Sequence, residues 1–276
     1  MITNLEIGYN GRLGNQMFQY AVCYTVAKKL NTQFAILNQN SKQTKSDGCF
    51  DFANNQWIPY RLKMYDCFNI TAPQVDSIPI TNTFQEPHFH YSDTINLVQD
   101  DTSIQGYYQS EKYFLDCKED ILKEFTFKED ILNSSLSFIK ENFNSNPIVA
   151  IHVRRGDNVH SNPTFPPISM EYIQHAINEF TDQEYNFLII SDDIPYCREV
   201  FPEGENLKFS PGDNDLVDLC LMTLVDHNII SNSSYSWWGA YLNPNPNKKV
   251  IAPSDWFKDK INMNTKDLIP NNWKII

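Results

Sequence analysis

Met17, Phe18, Ala21, Val22, Thr25 and Val26 recur at i, i+4 and i+8, the spacing of one buried helix face, and predict a helix over about 15–30. Ahead of it, residues 4–10 (Asn-Leu-Glu-Ile-Gly-Tyr-Asn) alternate as a strand, and Phe34–Leu37 reads as a second strand. A strand-turn-helix-strand opening implies a parallel sheet. Residues 38–110 are polar and broken by Pro59, Pro73, Pro79 and Pro87; helices are expected between the loops, without definable bounds. The aromatic run Gly106–Phe114 leads into a helix expected near 111–123 and reads first as core.

At Asn142–Pro147 the composition shifts, and a regular α/β rhythm follows. Strands are expected at 148–153, 186–191, 228–231 and 249–252, and helices at 169–180, 195–201, 213–226 and 234–243. Ser169 and Glu171 suit a helix start. The expected division is 1–146 and 147–276, an α/β chain of two domains.

Composition is globular, with 41% hydrophobic and 20% charged residues. The net charge of −12 leaves no basic face for general nucleic-acid binding, so any local positive charge must be gathered by the fold. The N-terminus carries no signal-peptide pattern and no window is apolar enough for a membrane helix, which predicts a cytoplasmic protein, at most peripheral to the inner face of the membrane. Six scattered cysteines without C-x-x-C read as reduced thiols.

The candidate chemistry lies at three strand ends. His152-Val153-Arg154-Arg155-Gly156-Asp157 places two of the chain's five arginines side by side after a buried strand. Guanidinium groups match phosphate oxygens through paired hydrogen bonds, so this turn reads as an anion site, with a pyrophosphate the best fit. A bracing ion pair with Asp157 is the plainer alternative. Ser191-Asp192-Asp193 ends the second strand. Ser231-Asn232-Ser233-Ser234-Tyr235-Ser236-Trp237-Trp238 runs into a helix start, where hydroxyls and backbone N–H groups form an anion cradle or simply cap. Ligands in α/β sheets bind beyond the carboxyl ends of strands, so the three together fit a nucleoside diphosphate. Asp192 or Asp193 could accept from a guanine's N1–H and N2–H₂. Tandem Trp237-Trp238 reads as packing. Asp213-Asn214-Asp215 matches a metal-holding D-x-D pattern but sits where a helix begins, and reads first as a cap; no metal is expected.

Gly11-Arg12-Leu13-Gly14-Asn15-Gln16-Met17-Phe18-Gln19-Tyr20-Ala21 resembles the opening motif of the bacterial α-1,2-fucosyltransferases, glycosyltransferase family 11. Gln109–Phe114, His152–Asp157, Ser191–Asp193 and Asn232–Leu242 are similar to the same family, in the same order and essentially end to end. Arg12 where many bacterial members have glycine, Asn158 for a tyrosine and Tyr235 for a phenylalanine are the departures.

The resemblance implies a GT-B arrangement of two Rossmann-like domains facing across a cleft, with residues 1–146 on the acceptor side and 147–276 binding GDP-fucose. The implied reaction is inverting transfer of L-fucose from GDP-β-L-fucose to the 2-hydroxyl of a terminal galactose, without metal or other cofactor. The acceptor is a galactose-terminated surface oligosaccharide, free or lipid-linked. Arg154 is the first choice for stabilising the leaving β-phosphate and Arg155 the second. Ser233, Ser234 and Ser236 complete the cradle, Asp157 orients an arginine, and His152 frames the base pocket. Gly14 and Asn15, at the start of the first helix, are expected on the donor side, with Asn15 approaching the phosphates; Asn232 belongs with the serines. The general base stays open among several acids and His160. Two rivals remain: a fucosyltransferase of different linkage, and a non-catalytic glycan-binding module.

Overall fold

A computed structural model of the chain describes residues 1–38, 48–51, 56–156, 164–202, 204–259 and 263–276. The chain forms two compact units, one of Met1–Asp51, Asn55–Thr126 and Lys260–Pro270, the other of Phe52–Asn54, Phe127–Asp259 and Asn271–Ile276.

In the first unit, β1 (Ile2–Thr3) is followed by α1 (Leu13–Lys29), β2 (Ile36–Leu37), β3 (Gly48–Asp51), β4 (Gln56–Pro59), the short α2 (Met64–Cys67), β5 (Gln74–Val75), β6 (Asn82–Gln85), β7 (Thr102–Gln105) and α3 (Lys118–Glu124). A parallel sheet has the order β1-β7-β6; β2 pairs with β5 in parallel and β3 with β4 antiparallel. Helix α1 is buried on most sides, so apolar side chains occupy nearly its whole circumference. It ends in a Schellman motif: Asn31, at φ +51°, donates its N–H to Lys28 O, and Thr32 N–H reaches Ala27 O.

The second unit contains α4 (Glu129–Asn142), β8 (Ile148–Val153), α5 (Met170–Ile177), β9 (Asn186–Ser191), α6 (Ile194–Val200), β10 (Leu207–Phe209), α7 (Asp215–Thr223), β11 (His227–Ile229), α8 (Ser234–Leu242), β12 (Val250–Ala252) and β13 (Lys274–Ile275). Its six strands are all parallel, in the order β10-β9-β8-β11-β12-β13. Strand β8 is buried along its whole length, as a central parallel strand covered on both faces must be. Val149, Ile151, Val153, Ile173, Ile189, Phe201 and Ile229 form the core beside it. The chain leaves β8 in one direction for β9 and β10, then returns to the other side for β11 and β12. The topological switch point is therefore between β8 and β11.

Three expectations are corrected. Residues 4–10 are turns, with Ile7 N–H bonded to Asn4 O and Tyr9 N–H to Glu6 O; strand geometry is confined to Ile2–Thr3. Among the described residues, the region 38–110 holds short strands, and the helices expected there are short: Met64–Cys67 and a 3₁₀ helix at Asp93–Leu97. The helix expected at 111–123 begins as two 3₁₀ turns and becomes α-helical only at Lys118. The compact units part at 126/127, ahead of the linker composition at 142–147, because α4 packs on α7 through Ser135, whose hydroxyl bonds Ile131 O and Val217 O; Lys260–Pro270 returns to the first unit.

Candidate active site

At the switch point, His152 and Ser231 meet from adjacent strand ends, Nδ1 to Oγ at 2.6 Å. Both side chains are buried. Burial, reinforced by the nearby Arg154 charge, pushes His152 down to about 3, so the ring is neutral at physiological pH and serves as a fixed hydrogen-bond partner. Its other neighbour is the Tyr235 ring, 5.6 Å away.

The two arginines are held by the two aspartates of the neighbouring strand end. Arg154 Nη1 donates to Asp192 Oδ2, and the Arg155 backbone N–H donates to Asp192 Oδ1 at 2.9 Å. Arg155 Nε donates to Asp193 Oδ2 at 3.0 Å, and its guanidinium lies 3.2 Å over the Tyr196 ring. Asp193 also caps α6, accepting from Tyr196 N–H at 3.2 Å. Gly156 has φ +28°, and a Cβ there would collide with Asp192 Oδ2 and approach Arg154 Nη1 to 3.1 Å. The arginine turn thus requires glycine at its apex.

Asp192 and Asp193 both bond the arginines, and Asp193 caps a helix as well. Asp157, Asn158 and His160 lie outside the described residues.

Helix α8 opens with Ser233 as its N-cap residue, whose side chain makes no capping bond, and Ser233 and Ser234 are half-buried. Ser236 differs: it is fully buried, with its hydroxyl bonded to Ser233 O at 3.2 Å and Ser231 O at 3.4 Å. It braces the turn from inside. Asn232 is buried and ties two loops together, donating to Pro166 O at 2.8 Å and Trp256 O at 3.2 Å. Its Oδ1 is buried without a hydrogen-bond partner among the described residues. Trp237 and Trp238 are fully buried, as the packing reading expected. Tyr235 Oη donates to Asp215 O, joining the start of α8 to the start of α7.

Asn214 caps α7, its Oδ1 accepting from Leu216 N–H at 3.0 Å and Val217 N–H at 3.4 Å. Among the described residues no three His, Cys, Asp or Glu side chains are grouped to hold a metal ion. One turn into α7 lies a group the sequence reading passed over. Asp218 is buried, and burial, with Asp215 and Asp213 adding repulsion, pushes it up to about 7. Its position on the inner face of α7, at i+3 from Asp215, was the available signal.

In the first unit, Gly14 and Asn15 stand in the first turn of α1, Gly14 buried. Asn15 Oδ1 accepts from Gln109 Nε2 at 2.8 Å, which joins the two motifs of that half. Gln16 and Gln19 are buried staples: Gln16 Nε2 donates to Gly11 O and Arg61 O, and Gln19 Nε2 to Asn10 O and Gly106 O. Ser110 and Lys112 of the second motif both bind Asp267, through its backbone oxygen and its carboxylate.

A parallel α/β unit with a basic turn and a hydroxyl-rich helix start at its switch point suits an anionic, nucleotide-linked substrate. The chain belongs to glycosyl transferase family 11, whose family model matches residues 2–276. It is 30% identical over 282 residues to an α-1,2-colitosyltransferase of Escherichia coli, covering 95% of each chain. It is 28% identical to the O-antigen biosynthesis glycosyltransferase WbnK of Escherichia coli, covering 93% of this chain and 97% of the relative. Its fold is similar to the crystal structure of POFUT1 in complex with GDP-fucose, with a TM-score of 0.55, 15% identity, and 90% and 96% of the two chains covered.

Proposed function

We propose that the enzyme transfers L-fucose from GDP-β-L-fucose to the 2-hydroxyl of a terminal galactose on a surface oligosaccharide, with inversion to an α-1,2 linkage. The observation that carries this reading is the arginine turn at the carboxyl ends of β8 and β9, next to the start of α8 across the switch point. As the bond from fucose C1 to the β-phosphate oxygen breaks, charge grows on that phosphate. A guanidinium aimed there stabilises the transition state more than the ground state.

Arg154 is the first choice for this role and Arg155, held by Asp193 and stacked on Tyr196, the second. Ser233, Ser234 and the first backbone N–H groups of α8 receive the phosphates, while Ser236 and His152 hold that turn in shape. In this reading Asp192 or Asp193 accepts from the guanine's N1–H and N2–H₂, at the strand end that also holds the arginines. The arginines supply the charge that a divalent cation provides elsewhere, so transfer proceeds without metal. No helix among the described residues is long and apolar enough to cross a membrane, and the acceptor is met in free or lipid-linked form.

A second donor is favoured by one observation, the similarity to a colitosyltransferase. Colitose is fucose lacking the 3-hydroxyl. A site built to bind that hydroxyl would discriminate by about 10⁴–10⁵, whereas a site indifferent to it would use both sugars.

The test is GDP release from GDP-fucose in EDTA, with and without lactose, followed by NMR of the product and competition with GDP-colitose. Acceptor-dependent release and an α-1,2 product are expected. Turnover only with added Mn²⁺, or a different linkage, would overturn the corresponding part of the reading.

A further inference from the structure

In the second unit, the last rung between β11 and β12 is made by a side chain. Asn228 N–H donates to Lys249 O at 3.0 Å and, two residues on, Ile230 N–H donates to Ile251 O at 2.9 Å. In a parallel ladder a residue that donates to one side also accepts there, from the N–H two residues beyond the oxygen it uses. For Ile230 O that donor would be Pro253, which has no N–H. Ile230 is fully buried, so its carbonyl needs another partner. The hydroxyl of Tyr172 supplies it: Oη lies 2.7 Å from Ile230 O and 3.1 Å from Ile251 O. A phenol has one proton to donate. Ile251 O already receives Ile230 N–H, so the proton serves Ile230 O, the nearer oxygen.

Tyr172 is itself held firmly. It stands in the first turn of α5, where the N-cap Ser169 accepts its N–H at 3.1 Å, and Ile173 and Ala176 of the same helix lie in the core beside β8. Burial pushes its phenol far above the usual range, so the donor proton stays on the hydroxyl. The oxygen it grips shares a planar peptide with the nitrogen of Ser231. Ser231 Oγ meets His152 Nδ1 at 2.6 Å, and Ser231 O receives the Ser236 hydroxyl at 3.4 Å. Fixing that peptide therefore fixes both contacts that shape the turn ahead of α8.

We propose that Tyr172 is a positioning residue for donor binding: its hydroxyl replaces the N–H that Pro253 lacks, holds the Ile230–Ser231 peptide, and through Ser231 sets the His152 ring and the start of α8. This rests on the donor-site reading above and concerns the second unit alone. Tyr172 acts through Ser231 and not on the nucleotide. A site of this kind keeps its geometry only when the groups that carry it are locked by hydrogen bonds from behind.

The experiment measures GDP affinity by calorimetry, the ring-nitrogen NMR shifts of His152, the melting temperature, and kcat and KM for GDP-fucose in the full chain. The variants are Tyr172→Phe, Pro253→Ala and the two together. Tyr172→Phe should weaken GDP binding and raise the GDP-fucose KM about tenfold, displace the His152 shifts, and keep kcat within about threefold. Pro253→Ala alone should keep GDP affinity within about threefold, because Tyr172 already serves the carbonyl. In the double variant the N–H restored at position 253 can reach Ile230 O, and GDP affinity and the His152 shifts should return toward wild type.

A lower melting temperature with GDP affinity and His152 shifts unchanged in Tyr172→Phe would overturn the proposal, by marking the hydroxyl as a support of the sheet alone. So would a loss that Pro253→Ala does not repair, or an equal gain from Pro253→Ala with Tyr172 in place, which would make the repair unrelated to the hydroxyl. If Tyr172→Phe does not fold, the double variant decides: GDP affinity near wild type supports the proposal, and a weakened affinity or a second failure to fold overturns it. A wild type that does not bind GDP would overturn the donor-site reading itself, and the His152 shifts would still decide whether the hydroxyl sets that ring.

Discussion

The two adjacent arginines have different partners, and that is the ground for giving them different roles. Arg155 is gripped by Asp193 and stacked on Tyr196, and Asp193 in turn caps α6. Its removal strips a cation–π contact and an ion pair from a half-buried turn. Arg155→Ala should cost about 1–3 kcal/mol of stability and retain part of the turnover. Arg154 is tied to Asp192, the acidic residue that also receives the Arg155 backbone. Arg154→Ala should cost no more stability than Arg155→Ala and lower kcat by about 10²–10³, equivalent to ~2.7–4 kcal/mol of lost transition-state stabilisation. Thermal melts and steady-state rates on both variants separate the roles. Equal losses of kcat with equal losses of stability would defeat the division. His152, neutral above about 3, contributes no limb to the pH profile in the physiological range.

At the level of elements, α7 carries a cost within its own first turns. Asp218 is buried at about 7, far above an ordinary aspartate, so the folded state binds its proton more tightly than the unfolded chain. Stability from this group is present at low pH and is lost as pH rises from about 4 through 7. Asp218→Asn removes the buried charge and should stabilise the protein at pH 8 by up to ~4 kcal/mol, with little gain at pH 4. Melts at both pH values check it; an equal shift at each would show that the carboxyl does not titrate there. The sequence was most readable where elements are long and covered on both faces. Strands 148–153 and 186–191 match β8 and β9 to the residue, because central parallel strands read as unbroken apolar runs. Residues 4–10 misled because buried Ile7 and Tyr9 alternate with polar neighbours inside a turn, copying a strand's period. The strands of the first unit run only two to four residues, too short for any period to register. For the site, the strand-end motifs were visible as motifs. Their internal bonding was not: nothing in Ser233-Ser234-Tyr235-Ser236 tells that Ser236 turns inward, or that Asp192 and Asp193 bond the arginines.

Across the whole molecule, the order of the chain works against cutting it in two. Beyond the short stretch 52–54 assigned to the second unit, it passes from the first unit to the second at 126/127, back at 259/260, and again to the second at 270/271. The returning segment is bound, not trailing. Leu268 is 1% exposed, Asp267 accepts from Tyr91 N–H and Lys112 Nζ, and its backbone oxygen receives the Ser110 hydroxyl at 2.6 Å. A fragment ending at 146 would lose all of this and would carry α4 without α7, its packing partner. Exposing one leucine costs about 1.5–3 kcal/mol and each orphaned hydrogen bond about 1 kcal/mol more. Against a typical total of ~5–15 kcal/mol that is a large share. Fragment 1–146 should therefore show no cooperative melt by circular dichroism, whereas the full chain should. A fragment that melts cooperatively near the full chain's temperature would mean that the 263–270 segment rests on the first unit without supporting it.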